Sequence, residues 1–373
     1  MPIFGKRRII STERQRIDLS KPKLWELDIV RAVAIVAVLL IHGTAASTVA
    51  LPIGSRSHTL YYAINHMSYF AVQAFILLSG VVLFYSYFDK WSASRVPGFY
   101  RKRLQYIFLP YLLWLFFYYL YDQWLNPAVK VHVSFVEFVK LIPWAEIGMG
   151  YHLYFMVIIM QLYLLFPIVV TLAKLWRPLG RYLWLFGIVV QGAFVVYRHY
   201  SGAAVPHGDR LFITYFALFC IGGSIGMNYE RFFAWLNRNV WWVTAAAVGA
   251  GYTFLLLSLQ EKRGMRFEFW EYELLFNGYP VLVAISFMWI GRHWLAHAPR
   301  WAAALSSLGA ASFGVYFTHP ALLSFYAMRA QVPAGQSGYH LAVWGGIVLI
   351  LVVPWAVVRA LKRFNWSWIL FGK

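Results

Sequence analysis

Apolar residues fall along this 373-residue chain in long blocks, each closed by charged or turn-forming residues. Ten blocks are read, at roughly 28–50, 67–88, 104–124, 151–173, 182–198, 210–228, 240–259, 275–291, 302–327 and 340–361. A helix crosses the hydrocarbon core of a bilayer with about 20 residues. The pattern therefore predicts an all-α integral membrane protein of about ten transmembrane helices. Its expected parts are a basic cytoplasmic tail (1–25), a polytopic membrane domain (26–361) and a short cytoplasmic tail (362–373). No soluble catalytic domain is expected at either end. Between the third and fourth blocks, Phe135, Phe138, Val139 and Ile142 recur at helical spacing with Glu137 and Lys140 on the other side. That pattern suits a short helix lying on the outer membrane surface.

Polar residues inside these blocks mark candidate chemistry. Arg31 and His42 stand 11 positions apart in the first block. At about 100° per residue that is about 1100°, so they share one helix face roughly 16 Å apart along the axis. Asp28 lies one turn before Arg31 on nearly the same face. Ionisable groups at such depth are costly and usually face a cavity or a partner. The plain structural reading is a snorkelling Arg31 and a hydrogen-bonded His42. His152 opens an inward-running block and His319 lies deep in an outward-running one, so both are expected in the outer half with His42. Histidine suits proton transfer near neutral pH. An interfacial role for His152, and a helix-kink role for His319 beside Pro320, are the competing readings.

Ser79 and Gly80 sit in the second block, where small residues commonly let helices approach. Packing or cavity lining is expected of Ser79 rather than nucleophilic attack, because no Gly-x-Ser-x-Gly elbow surrounds it. Arg101, Lys102 and Arg103 stand at the cytoplasmic mouth of the third block. They suit phosphate binding through charge-assisted hydrogen bonds, or ordinary anchoring. No metal site is expected, since intramembrane carboxylates are nearly absent.

Composition agrees with a membrane. Hydrophobic residues make up 61% and charged residues 13% of the chain, against about 25% charged in soluble domains. A net charge of +19 by itself would suit nucleic acid, but its distribution argues otherwise. With the N-terminus inside, 23 of the 33 Lys and Arg fall on the cytoplasmic side and 9 on the outer side, with Arg31 inside a span. This positive-inside asymmetry predicts both termini in the cytoplasm. The basic excess is then topology and attraction to anionic lipid, and no nucleic-acid partner is expected. The outer loop 260–274 is the converse case, with Glu261, Glu268, Glu271 and Glu273. The N-terminal tail, with Lys6, Arg7, Arg8, Arg14 and Arg16, is too polar for a signal peptide. Cys220 is the single cysteine, which rules out an intrachain disulfide.

The stretch Leu27 to His42, LDIVRAVAIVAVLLIH, resembles the opening of the bacterial membrane acyltransferase-3 family. That family has an Arg or Lys, ten residues and then a His in its first span, and Arg31 and His42 match it. Phe75 to Gly80 looks like its Phe-rich Ser-Gly segment. Arg103 followed by Pro110 and Tyr111 resembles its basic, Pro-Tyr start of the third span. His152-Leu153-Tyr154-Phe155, then Tyr163 and Pro167, is similar to its His-Leu-Trp-Phe segment. Ser312-Phe313-Gly314-Val315-Tyr316 through His319 is similar to its late Ser-Phe-Gly-x-Tyr-x-x-His signature. The resemblance covers about 25–330. Two positions depart from it. Tyr106 stands where the family often has a second basic residue, which weakens a donor-binding role there, and Tyr154 replaces the usual Trp. The family's appended extracellular hydrolase-like domain is not expected.

The resemblance implies transfer of an acyl group, acetyl foremost, from cytoplasmic acyl-CoA to a hydroxyl of an extracytoplasmic glycan or glycolipid. The location implied is the bacterial plasma membrane, with the lipid bilayer and polysaccharide-biosynthesis proteins as partners. Acyl-CoA is a consumed donor, and no permanently bound cofactor is implied. His42 is expected as general base on the acceptor hydroxyl. Arg31 would orient the donor or stabilise developing negative charge. Arg103, with Arg101 or Lys102, would hold CoA phosphates. Asp28, Ser79, His152, Tyr316 and His319 are further candidates for lining the pocket. An acyl-enzyme route stays open. The rival classes are a transporter or flippase for a lipid-linked glycan, disfavoured by the lack of visible repeats, and an inactive scaffold of a polysaccharide-export complex.

Overall fold

The structure, a computed structural model, describes residues 21–126, 131–201 and 205–372. The basic residues Lys6 to Arg16 of the expected tail lie outside them. Among the described residues, seven helical segments are long and apolar enough to cross a membrane. The first is α1 (Glu26–Ala45), followed by α2 (Arg56–Met67) and α3 (Phe70–Tyr87), which together form the second. Next come α4 (Val96–Arg103) and α5 (Leu109–Leu125), joined by a π-turn over Leu104–Phe108, and then the surface helix α6 (Phe135–Leu141). The chain continues through α7 (Tyr154–Leu175), α8 (Leu183–Tyr200), α9 (Phe216–Met227), α10 (Tyr229–Lys262) and α11 (Phe269–His297). It ends with α12 (Pro299–Arg329), α13 (Tyr339–Leu361) and one short turn, α14 (Trp368–Phe371). The segments α8, α9 and α12 fall on the three remaining expected blocks and are helical, though they are not among the seven long apolar segments, and the all-α membrane fold holds.

α1 sits in the middle of the bundle, against α3, α11, α12 and α13. Its small residues and its neighbours' glycines permit this. A Cβ on Gly309 of α12 would collide with the Asp28 carbonyl, and one on Gly43 with the side chain of Ile347 in α13. α3 packs in the same manner on α9. A Cβ on Gly80 would strike the Phe219 carbonyl, one on Gly222 the Leu77 carbonyl, and one on Gly226 the Val81 carbonyl. Backbone contact of this kind is how membrane helices associate where lipid leaves no hydrophobic driving force between them.

Three boundaries differ from the pattern reading. The stretch 51–66, expected as an outer loop, is helical from Arg56 onward. The Ser55 hydroxyl caps this helix by accepting from the His58 amide at 3.1 Å, Asn65 Nδ2 donates to the Ile41 carbonyl at 2.8 Å, and the buried His58 Nε2 has no protein partner among the described residues. The inner stretch 89–103 likewise carries α4. The segment 362–372, expected as a tail, folds back onto α5. Phe371 is buried, and Trp114 Nε1 donates to the Leu370 carbonyl at 2.9 Å. The surface helix expected between 125 and 150 is confined to α6. Its Phe138 packs on the core while Phe135 and Val136 are exposed.

Candidate active site

Two cavities meet α1 at different depths. At its N-terminal end the buried Asp28 pairs with Lys23 Nζ at 2.7 Å and with the Arg31 guanidinium. Lys362, just past α13, donates to the Ala310 carbonyl at 2.6 Å. Burial lowers the pKa of Lys362, the Asp28 carboxylate raises it, and neighbouring Lys23 lowers it further. Three cations around one carboxylate make this end electropositive. These groups line an inner cavity of about 440 Å³ together with Ser79, Phe155 and Tyr316. Ser79 Oγ donates to the Phe75 carbonyl at 2.9 Å, a back-bond within its own helix that suits cavity lining.

Beside it lies a basic cavity of about 650 Å³ lined by Arg101, Lys102, Arg103 and Tyr106. Ile107 and Tyr163 line both cavities. The Arg103 guanidinium lies 4.3 Å from the Phe99 ring centroid and 5.2 Å from that of Tyr163, so its orientation is held by aromatic faces. Arg101 and Lys102 are exposed.

At the other end of the stripe, His42 borders an outer cavity of about 420 Å³. Its Nδ1 lies 3.1 Å from the Tyr151 hydroxyl. Between the cavities stands a run of rings. His42 and His319 have centroids 5.2 Å apart, His319 and His152 5.5 Å, and His152 and Tyr316 5.0 Å. His152 and His319 are buried, and the Tyr316 hydroxyl donates to the His152 carbonyl. The three histidines, from α1, α12 and the turn before α7, thus converge as their topology predicts.

Pro320 explains how His319 is held. Proline has no N–H, so the carbonyl four residues earlier, that of Tyr316, loses its helical donor. His319 Nδ1 fills the vacancy at 2.8 Å and lies 3.2 Å from the Val315 carbonyl. Both partners are acceptors, so Nδ1 carries the proton and Nε2 keeps a lone pair; Nε2 has no protein partner among the described residues. One residue on, the Tyr118 hydroxyl enters the opened ladder, accepting from Ala321 N–H at 3.3 Å and donating to the Phe317 carbonyl at 2.7 Å. The kink and the candidate chemistry of His319 are therefore one feature.

Arg31, Asp28, Ser79 and Tyr316 share the inner cavity; His42 reaches the outer one; His152 and His319 lie between; Arg101 and Arg103 occupy the neighbouring basic cavity. Sequence reasoning passed over Lys23, Lys362, Tyr151 and Tyr118. Tyr151 adjoins His152 and was open to notice, whereas Lys23 and Lys362 read as ordinary cytoplasmic basic residues. His293 and His297 on α11 form a His-x-x-x-His pair that the metal reading also passed over. Their rings stack at 4.1 Å, and the described residues contain no group of three His, Cys, Asp or Glu able to hold a metal ion.

The family model described as an acyltransferase domain matches residues 24–359, which include every residue of both cavities except Lys23 and Lys362. The chain belongs to the acyltransferase-3 family. It is 24% identical over 368 residues to YfiQ of Bacillus subtilis (strain 168), provisionally named a membrane-bound acyltransferase, covering 94% of this chain and 95% of that protein. It is also 24% identical to a probable poly-beta-1,6-N-acetyl-D-glucosamine export protein of Staphylococcus aureus (strain MRSA252), covering 85% and 86% of the two chains. No solved structure matches it. The chain is a multi-pass bacterial membrane acyltransferase.

Proposed function

We propose that this acyltransferase moves an acetyl group from cytoplasmic acetyl-CoA to a hydroxyl of an extracytoplasmic glycan or glycolipid. The observation that carries this reading is one helix, α1, presenting Arg31 to an electropositive inner cavity and His42 to an outer one, with His319 and His152 between. The CoA phosphates sit against Arg103 with Arg101 or Lys102, and the thioester end enters the inner cavity past Ser79 and Tyr316. Arg31, held by Asp28 at the inner cavity, steadies and orients the donor there. Both termini face the cytoplasm, and acyl-CoA is consumed rather than retained.

His42 is the general base. When Nδ1–H donates to the Tyr151 oxygen, Nε2 is free to take the acceptor hydroxyl proton. The acceptor oxygen then forms the new C–O bond, the C–S bond breaks, and the proton passes to the departing CoA sulfur. His319, with its free Nε2, holds the acceptor hydroxyl or shares the proton. Removing a general base typically costs about 10²–10⁴-fold in rate.

The test uses membranes carrying wild type or His42→Ala, given acetyl-CoA labelled on the acetyl group. Label in base-labile esters of the glycan fraction, lost with His42→Ala while the protein still inserts, is the expected result. Near wild-type transfer by the variant sinks the base assignment. A second reading, glycan export, draws on the names of the staphylococcal relatives. It predicts glycan movement without consumption of the CoA thioester.

A further inference from the structure

The two cavities differ in charge as well as in side. The inner one is ringed by Lys23, Asp28, Arg31 and Lys362. The outer one, among the described residues, is lined by no Asp, Glu, Lys or Arg. Its wall combines tyrosine rings (Tyr151, Tyr326, Tyr339) with Pro320, Leu323 and short aliphatic residues. Most of its polar groups are already engaged. Ser47 Oγ lies 2.8 Å from the Tyr339 hydroxyl, the Tyr326 hydroxyl donates to the Ala342 carbonyl at 2.9 Å, and Ser324 Oγ donates to the Ala321 carbonyl at 2.9 Å. Flanking charges face other partners: Asp122 accepts from the Met149 amide at 2.8 Å, and Arg329 lies 4.9 Å from the Phe325 ring centroid.

We infer that the outer cavity selects an uncharged sugar unit, and that units bearing a carboxylate, phosphate or ammonium group are rejected there. The inference rests on the acyl-transfer reading above and adds the chemical class of the acceptor. A charged group moved from water into a site without a countercharge is strongly disfavoured. Apart from His42, which is neutral when it acts as a base, no side chain of this wall among the described residues can supply a countercharge, and few polar groups remain to solvate one. A neutral pyranose has what the wall accepts: an apolar face for the rings and hydroxyls for His42, Tyr151 and Gln331. A cavity of about 420 Å³ lies within the usual range of about 300–1,000 Å³ for small-molecule sites, so the selected unit is a short one.

The test uses purified protein in vesicles with acetyl-labelled acetyl-CoA and three soluble acceptors of equal length: tetramers of N-acetylglucosamine, of glucosamine and of galacturonate. Only base-labile label is counted, which sets aside amide formation on glucosamine. The expected result is at least tenfold more ester on the neutral tetramer than on either charged one. Ala327→Asp, which puts a carboxylate into the wall, is expected to lower transfer to the neutral tetramer and narrow its lead over glucosamine. Equal transfer to neutral and charged tetramers overturns the inference and leaves the acyltransferase reading standing. Ester on none of the three, with the thioester left intact, overturns that reading itself.

Discussion

At the scale of single residues, Arg31 and His42 do different work because they meet different surroundings. Arg31 is tethered to a carboxylate at a cavity rich in cations, whereas His42 faces a tyrosine and another histidine at a cavity without charges. Arg31→Ala is expected to raise the KM for acetyl-CoA about tenfold or more, since a hydrogen bond to a charged group contributes about 1.5–3 kcal/mol. Arg31→Lys is expected to recover part of that loss, because it keeps the charge without the planar fork. Steady-state kinetics on the three proteins decides it; an unchanged KM in the alanine variant removes Arg31 from the donor site. The spacing of Arg31 and His42 was legible as a shared helix face. Lys23 and Lys362 were not, because a basic residue that lines a cavity and one that only anchors a helix look alike until neighbouring helices are in place.

At the scale of elements, two features are open to test. In α12 the break at Pro320 hands the Tyr316 carbonyl to His319. Pro320→Ala restores the competing N–H, so the variant is expected to stay folded while kcat falls several-fold. Wild-type kcat in that variant would separate the orientation of His319 from catalysis. The α3–α9 crossing rests on Gly80, Gly222 and Gly226. Gly222→Val drives a side chain into the Leu77 carbonyl, and overpacking of a close contact costs about 1–3 kcal/mol or more. A clear fall in the thermal midpoint of the detergent-purified protein is expected, and an unchanged midpoint would contradict the backbone contact. Gly80 was read in the sequence as a small residue suited to packing, but its partners Gly222 and Gly226, and the carbonyl each one faces, were not. α2 was missed for a related reason: its polar residues look like a loop until Asn65 is seen bonded to the Ile41 carbonyl and the His58 ring is seen buried against Tyr62.

At the scale of the whole molecule, charge asymmetry across the bundle predicts both termini inside. Cys220 is buried, so it gives little background to a cysteine probe. A cysteine placed at Lys262 is expected to react with a membrane-impermeant maleimide in intact cells. One placed at Arg95 is expected to react only after permeabilisation. The reverse pattern would invert the topology and put the electropositive cavity on the wrong side for a cytoplasmic donor.

The sequence by itself determined the membrane fold, the approximate spans, the polar stripe on α1 and the family, because block length, helical periodicity and charge bias are local properties that survive without tertiary context. Only the tertiary structure decided that the stripe joins two cavities, one electropositive and one without charged side chains among the described residues, and that His319 takes its orientation from Pro320. It also decided which tyrosines and lysines complete the walls. Those facts depend on contacts between helices far apart in the chain, and the small residues that permit such contacts carry no label of their partners.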